Sequence, residues 1–322
     1  MSALARRANS ILRPLLGISG FLLAVCLCNS AQLPQRGAVP ASAILDLKSR
    51  AESGDPSARD QLKEFLVSAD PASPGYDQAL SWLQFSASQN APDALYRLGY
   101  LYEHGRGVSR DFPKAAEIYR RAALQGYAPA ENNLGALYQR GYGVPRDISL
   151  AFHWYSLAAQ HGSPVAEQNL GTLYFLGQNT HADYVQAAKW FRASAEHGLA
   201  QGQSSLAFCY LKGIGVSPDD SQAAHWARLA AEQGHPHAEA LLAFLYEHGK
   251  GLPLDYVSAY AWYSRAIADG DVSTADRLKS LSKVMTAKQL EVAKSLVSAQ
   301  SLAPRPASTP SISVARSLFS DQ

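Results

Sequence analysis

The chain has 322 residues, 47% of them hydrophobic and 17% charged. That suggests about two domains at roughly 150 residues each, is too apolar for a disordered chain and is long enough to bury a large core. The 29 Lys/Arg against 27 Asp/Glu give a net charge of +2, which excludes a strongly basic nucleic-acid binder. Three cysteines exclude a disulfide-rich scaffold, and no apolar run reaches the roughly 18 residues of a membrane span.

In chain order, residues 1–45 contain no Asp or Glu. Arg6, Arg7 and Arg13 lead into an apolar stretch from Leu15 to Leu27, followed by Asn29, Ser30 and Ala31. A basic start, a short apolar block and small residues form the pattern of a secretory signal peptide over 1–31. The chain is therefore expected to be exported (periplasmic, secreted or in the secretory pathway), with a mitochondrial presequence as the alternative. Twin-arginine export is disfavoured by Asn9, and lipidation at Cys26 or Cys28 by the large Val25 and Leu27 before them. Once the leader is removed, only Cys209 remains, and a lone thiol forms no internal disulfide. A linker is expected at 32–42, then a degenerate N-terminal repeat with cap helices at 43–93.

Self-similarity governs the chain from residue 94 onward. Ala94, Ala130, Ala166, Gly202 and Ala238 recur at a fixed 36-residue step, in phase with Leu98, Leu134, Leu170, Leu206 and Leu242. Gly99, Gly135 and Gly171, then Ala207 and Ala243, keep the same phase. So do Gly105, Gly141, Gly177, Gly213 and Gly249, and the acids Asp111, Asp147, Asp183, Asp219 and Asp255. Each unit reads as two helices. In the first, Leu95, Leu98, Leu101 and Tyr102 recur at helical spacing in helix A, which ends at Gly105. Asp111 is placed to cap helix B, whose stripe is Ala115, Ile118, Tyr119 and Ala122. The small residue at Gly99 and its counterparts is expected to let two helices approach, and the helix B aromatics to fill the space against the next unit. The third unit departs at Gly177–Gln178–Asn179–Thr180–His181, where Asn179 can stand in for a left-handed glycine.

The pattern A-x-x-x-L-G-x-L-Y-x-x-G-x-G-V…D…A…W-Y…A-A-x-x-G resembles the Sel1-like repeat, one of the tetratricopeptide-type helical repeats. The resemblance implies an all-α, right-handed α-solenoid of about 36-residue helix-turn-helix repeats, with five repeats over 94–273. Capping helices are expected at 274–298 and a disordered tail at 299–322.

Catalytic and metal signals are poor. His235–Pro236–His237 lacks further ligands nearby, and His161, His197 and His235 are explained by their place in the inter-repeat loop. Ser280–Leu281–Ser282–Lys283 matches one element of penicillin-recognising enzymes, but the accompanying Ser-Asp-Asn and Lys-Thr-Gly are missing. No catalytic residue, no metal and no cofactor is expected. Cys209 holds the phase of Leu101, Leu137, Leu173 and Leu245 and reads as core.

What remains is a binding surface. Aligned with the tetratricopeptide helix A, a concave face is expected to carry three rows. Tyr96, Asn132, Gln168 and Ser204 form one; Asn133 and Asn169 lie in the next; Tyr100, Phe208 and Phe244 lie in a third; Gln139 and Phe175 stand near the rim. Amide side chains both donate to and accept from a peptide backbone, and neighbouring aromatics supply pockets. The resemblance implies a non-catalytic scaffold for a protein or extended peptide, without nucleic acid or a transmembrane span. A secreted hydrolase of cell-wall or β-lactam-like substrates is the alternative.

Overall fold

The computed structural model describes residues 40–178 and 181–302. The expected leader at 1–31, the linker as far as residue 39, Asn179 and residues 303–322 lie outside the described residues. Fifteen α-helices and one short 3-10 turn, Val272–Thr274, are described. The first three are α1 (Ala41–Glu52), α2 (Pro56–Ser68) and α3 (Tyr76–Ser88).

Five helical pairs come next. They are α4 (Pro92–His104) with α5 (Phe112–Ala123), α6 (Ala128–Arg140) with α7 (Ile148–Gln160), and α8 (Pro164–Leu176) with α9 (Tyr184–Glu196). The last two are α10 (Ala200–Lys212) with α11 (Asp220–Glu232), and α12 (Pro236–His248) with α13 (Tyr256–Ala268). Helices α14 (Ala275–Val284) and α15 (Ala287–Leu302) close the stack, α15 running past the boundary expected at 298.

The pairs are punctuated by the same local chemistry each time. Every second helix is capped by aspartate: Asp111 accepts from Lys114 N, Asp147 from Leu150 N, Asp183 from Gln186 N, Asp219 from Ser221 and Gln222 N, and Asp255 from Val257 and Ser258 N. Each satisfies an amide that the helix itself cannot. The second turn glycine has a role beyond its left-handed φ. A Cβ on Gly143, Gly215 or Gly251 would overlap the backbone of Phe112, Tyr184 or Asp220, the first helix B residues of the preceding repeat. Bare backbone therefore sets the distance between successive pairs.

Within the first three pairs the small residue faces a ring. A Cβ on Gly99 would lie 2.7 Å from Tyr119, and one on Gly135 2.9 Å from Tyr155; Gly171 stands likewise against Phe191. This corrects the expectation that the helix B aromatics fill space against the next unit: the Tyr119, Tyr155 and Phe191 rings occupy the notch in their own unit. Trp154, Trp190, Trp226 and Trp262 remain partly buried.

Polar bridges join neighbouring pairs. Arg120 Nη2 donates to Tyr138 OH (2.8 Å), Arg192 Nη2 to Tyr210 OH (2.7 Å) and Arg228 Nη2 to Tyr246 OH (3.0 Å). Where Ser156 replaces the arginine, Phe152 meets Tyr174 edge-on at 5.3 Å. The N-terminal helices continue this logic in altered form. Tyr76 OH donates to Leu66 O, and Arg106 Nη2 reaches back to Ala69 O at 2.6 Å. Asn90, with φ +64°, holds the inter-repeat position that Gly126 and Gly162 fill further on. Among the described residues no helix is long and apolar enough to cross a membrane.

Candidate partner-binding face

The A helices α4, α6, α8, α10 and α12 lie in one layer, and side chains on their fifth and sixth positions bridge from repeat to repeat. Asn169 Nδ2 donates to Asn132 Oδ1 (2.9 Å), Asn132 Nδ2 to Asn133 Oδ1 (3.3 Å), and Asn133 Nδ2 to Tyr119 OH (3.2 Å). Tyr119 OH in turn donates to Glu103 Oε2 (2.7 Å). The chain of bonds crosses three repeats and runs in one direction, from amide to carboxylate. Burial, with Glu103 beside it, holds the Tyr119 phenol well above its ordinary range, so it stays a donor. Asn132 and Asn169 each keep one amide N–H beyond these bonds, and Asn169 Oδ1 keeps its lone pairs.

Gln168 has a different place. It is 4% exposed, and its amide donates to Ser205 Oγ (3.1 Å) in the next A helix, leaving Oε1 buried without a partner. It ties α8 to α10 rather than facing outward. Gln139 also turns inward: it accepts from Tyr155 OH (2.8 Å) and donates to Gln178 Oε1 (3.4 Å). Phe175 holds the same phase one repeat on, 6.4 Å from Phe191 and 5.4 Å from Tyr184. Here an apolar pair replaces the hydroxyl–amide pair as a unit, a near-neutral exchange because neither group is orphaned. Gln139 and Phe175 thus pack toward helix B of their own repeat rather than at the rim, Gln139 also reaching Gln178 of the next repeat.

The remaining predicted residues are half-buried. Tyr96 lies 5.9 Å from Tyr119 and 5.6 Å from Tyr127, with Arg97 over its ring. Tyr100 stacks on His104 at 4.0 Å, and Phe244 packs on His248 at 4.2 Å with Arg277 over its ring at 4.9 Å. Ser204 and Phe208 are half-exposed on α10. The structure therefore brings Tyr96, Asn132, Asn133 and Asn169 together, and leaves Tyr100 and Phe244 at opposite ends of the layer.

Sequence reading missed Tyr119, Tyr127 and Glu103. Tyr127 sits in the inter-repeat position elsewhere held by Ser163, Leu199 and His235, and burial pushes its phenol up to about 12. That an aromatic replaces a capping residue there was the available signal.

A second line of polar residues runs through the inter-repeat loops. Glu131, 1% exposed, pairs with His161 Nδ1 at 2.8 Å, and Glu167 pairs with His197 Nδ1 at 2.8 Å. Burial raises both carboxyl pKa values, and the imidazoles oppose that rise. Gln203 and Gln233 hold the equivalent places one repeat on, bonded at 2.8 Å. Among the described residues no group of three or more His, Cys, Asp or Glu is arranged to hold a metal. Ser280 and Lys283 are exposed on α14, where helical hydrogen bonding occupies the amides that an oxyanion would need.

Comparison with known proteins agrees with this architecture. The Sel1 repeat profile matches residues 70–90, 92–127, 128–163, 164–199, 200–235 and 236–271. A Sel1 repeat protein from Oxalobacter formigenes is similar in structure, with a TM-score of 0.61 and 28% identity over 78% of this chain and 96% of that one. Chitin synthase regulator SKT5 of Saccharomyces cerevisiae is 37% identical over 60 residues, 18% of this chain and 9% of its own. The ERAD-associated E3 ubiquitin-protein ligase component HRD3 of Candida glabrata is 46% identical over 44 residues, 14% of this chain and 5% of its own. The match thus spans under a tenth of either curated relative. With one partial and five whole repeats in unbroken succession over more than half of its length, the chain belongs to the Sel1 repeat family.

Proposed function

We propose that the chain is a non-catalytic scaffold that binds a protein or an extended peptide along the concave face of its A helices. Proteins of this family mediate protein–protein interaction, and the relatives with matching repeats are named as a regulator and as a component of a larger assembly. The observation that carries the choice of face is the bonded series Asn169–Asn132–Asn133–Tyr119, which holds three amides in fixed orientation beside the half-buried Tyr96. Side chains already fixed lose little entropy when a partner docks, and Tyr is a frequent anchor in such interfaces. The acid-free leader supports a place outside the cytoplasm for this activity.

The test is crosslinking capture from envelope and soluble fractions of the source cell, with the parent chain and an Asn132→Ala/Asn133→Ala/Asn169→Ala variant. A specific partner retained by the parent and reduced about tenfold or more in the variant, the effect of losing one or two hot-spot contacts, is expected. Equal capture by both would place the contact elsewhere.

A further inference from the structure

Charge is unevenly distributed along this chain. Residues 40–274 carry 18 Lys/Arg against 24 Asp/Glu, while residues 275–302 carry five against two. An acidic stack thus ends in a basic cap. Both cap helices pack on α13 through Leu281, Met285 and Ala293, which are buried against Ala259 and Tyr263. Their other sides face outward. Lys279 and Lys283 project from α14, Lys288 and Lys294 from α15, all exposed. None of these four has an acidic partner among the described residues; the fifth cation, Arg277, is committed to Glu247 at 3.4 Å. Beside them stand aliphatic side chains left in water: Val284 is 64% exposed, Val292 45% and Leu296 41%, the last two sharing a helix flank with Lys288.

We infer that this outer face of α14 and α15 docks on an anionic lipid surface, holding the solenoid by its C-terminal end. The chemistry favours lipid over a protein partner. Protein interfaces are depleted in Lys and anchored by Tyr, Trp and Arg. Residues 275–302 contain no aromatic side chain, and their one arginine is engaged. Lysines interleaved with Val and Leu on short helices match an interfacial site, where aliphatic groups enter the headgroup boundary and ammonium groups meet lipid phosphates. The acidic remainder of the stack is repelled by the same surface, which turns the cap toward it and the A-helix face away from the plane of contact.

The experiment measures amine-acylation rates of individual lysines in the full chain by mass spectrometry. Vesicles of phosphatidylcholine alone are compared with vesicles in which about a third is phosphatidylglycerol, and labelling of Lys279, Lys283, Lys288 and Lys294 is expected to slow about threefold or more on the anionic vesicles, relative to exposed Lys212, and to recover in high salt. A Val292→Asp/Leu296→Asp variant, its lysines in place and its circular dichroism unchanged, should lose most of that slowing. Unchanged labelling on anionic vesicles, equal slowing on neutral ones, or full slowing in the variant would each overturn the inference. So would slowing that grows with protein concentration in the absence of vesicles, which would assign the cap to the acidic body of a second copy.

Discussion

His235 accepts the amide proton of Ala238 through Nδ1, and it can do so only while that nitrogen keeps its lone pair. Burial depresses its pKa from the ordinary 6.5 to about 4. The folded state therefore binds fewer protons than the unfolded state between those values. Stability that is complete above pH 6.5 is lost as pH falls towards 4, by at most about 3 kcal/mol. Ser163 fills the same capping position two repeats earlier without titrating, so His235→Ser should flatten the decline in melting temperature between pH 7 and pH 4.5. An unaltered slope would remove His235 as its source. Glu131 and Glu167 act with the opposite sign. Their raised pKa values mean that the folded state binds more protons, so their contribution is largest at acid pH and declines as pH rises. The Gln203–Gln233 pair shows that the site accepts an uncharged couple. Glu131→Gln with His161→Gln should keep urea-unfolding stability at pH 7 within about 1 kcal/mol of the parent, whereas His161→Ala alone should cost about 1–3 kcal/mol by orphaning a buried carboxylate.

At the scale of helices, the notch-and-ring pairing explains where the repeat tolerates change. Gly171 meets Phe191 at ring contact, while one repeat later Ala207 and Ala227 hold both positions with small side chains. Gly171→Ala should destabilise the parent by about 1–3 kcal/mol through overpacking. In a Phe191→Ala background the same change should cost far less, a coupling that a double-mutant cycle in chemical denaturation would read directly. Leu170, wholly buried in α8, should lose roughly 2–5 kcal/mol on truncation to alanine. The helices and their order were legible in the sequence because the Leu, Gly and Asp markers repeat without insertion. The destination of the rings was not, since Tyr119 at helical spacing satisfies either neighbour until the Gly99 notch is seen opposite it. The amide rows were legible as positions but not as bonds. Whether Asn132 faces solvent or Asn169 depends on rotamers, and Gln168 turned inward because Ser205 offered an acceptor on the adjoining helix.

Across the whole molecule each pair touches its neighbours in the stack, so stability is a sum of local interfaces and the two ends are its weakest places. Deleting 274–298 would strip Leu281 and Ala293 from Tyr263 and Ala259. Sedimentation velocity on that deletion should show concentration-dependent association of the exposed end, and a stable monomer would mean that the last pair is sealed without α14 and α15. The contacts of Gly143, Gly215 and Gly251 reach further. They rest on backbone, which no side-chain change in the preceding helix B alters, so at these three joints the interval between successive pairs is a fixed graduation while the side chains upon it are free to vary. A stack built this way can change its side chains at each of these marks, or gain and lose marks by whole-unit duplication, and still keep the same scale.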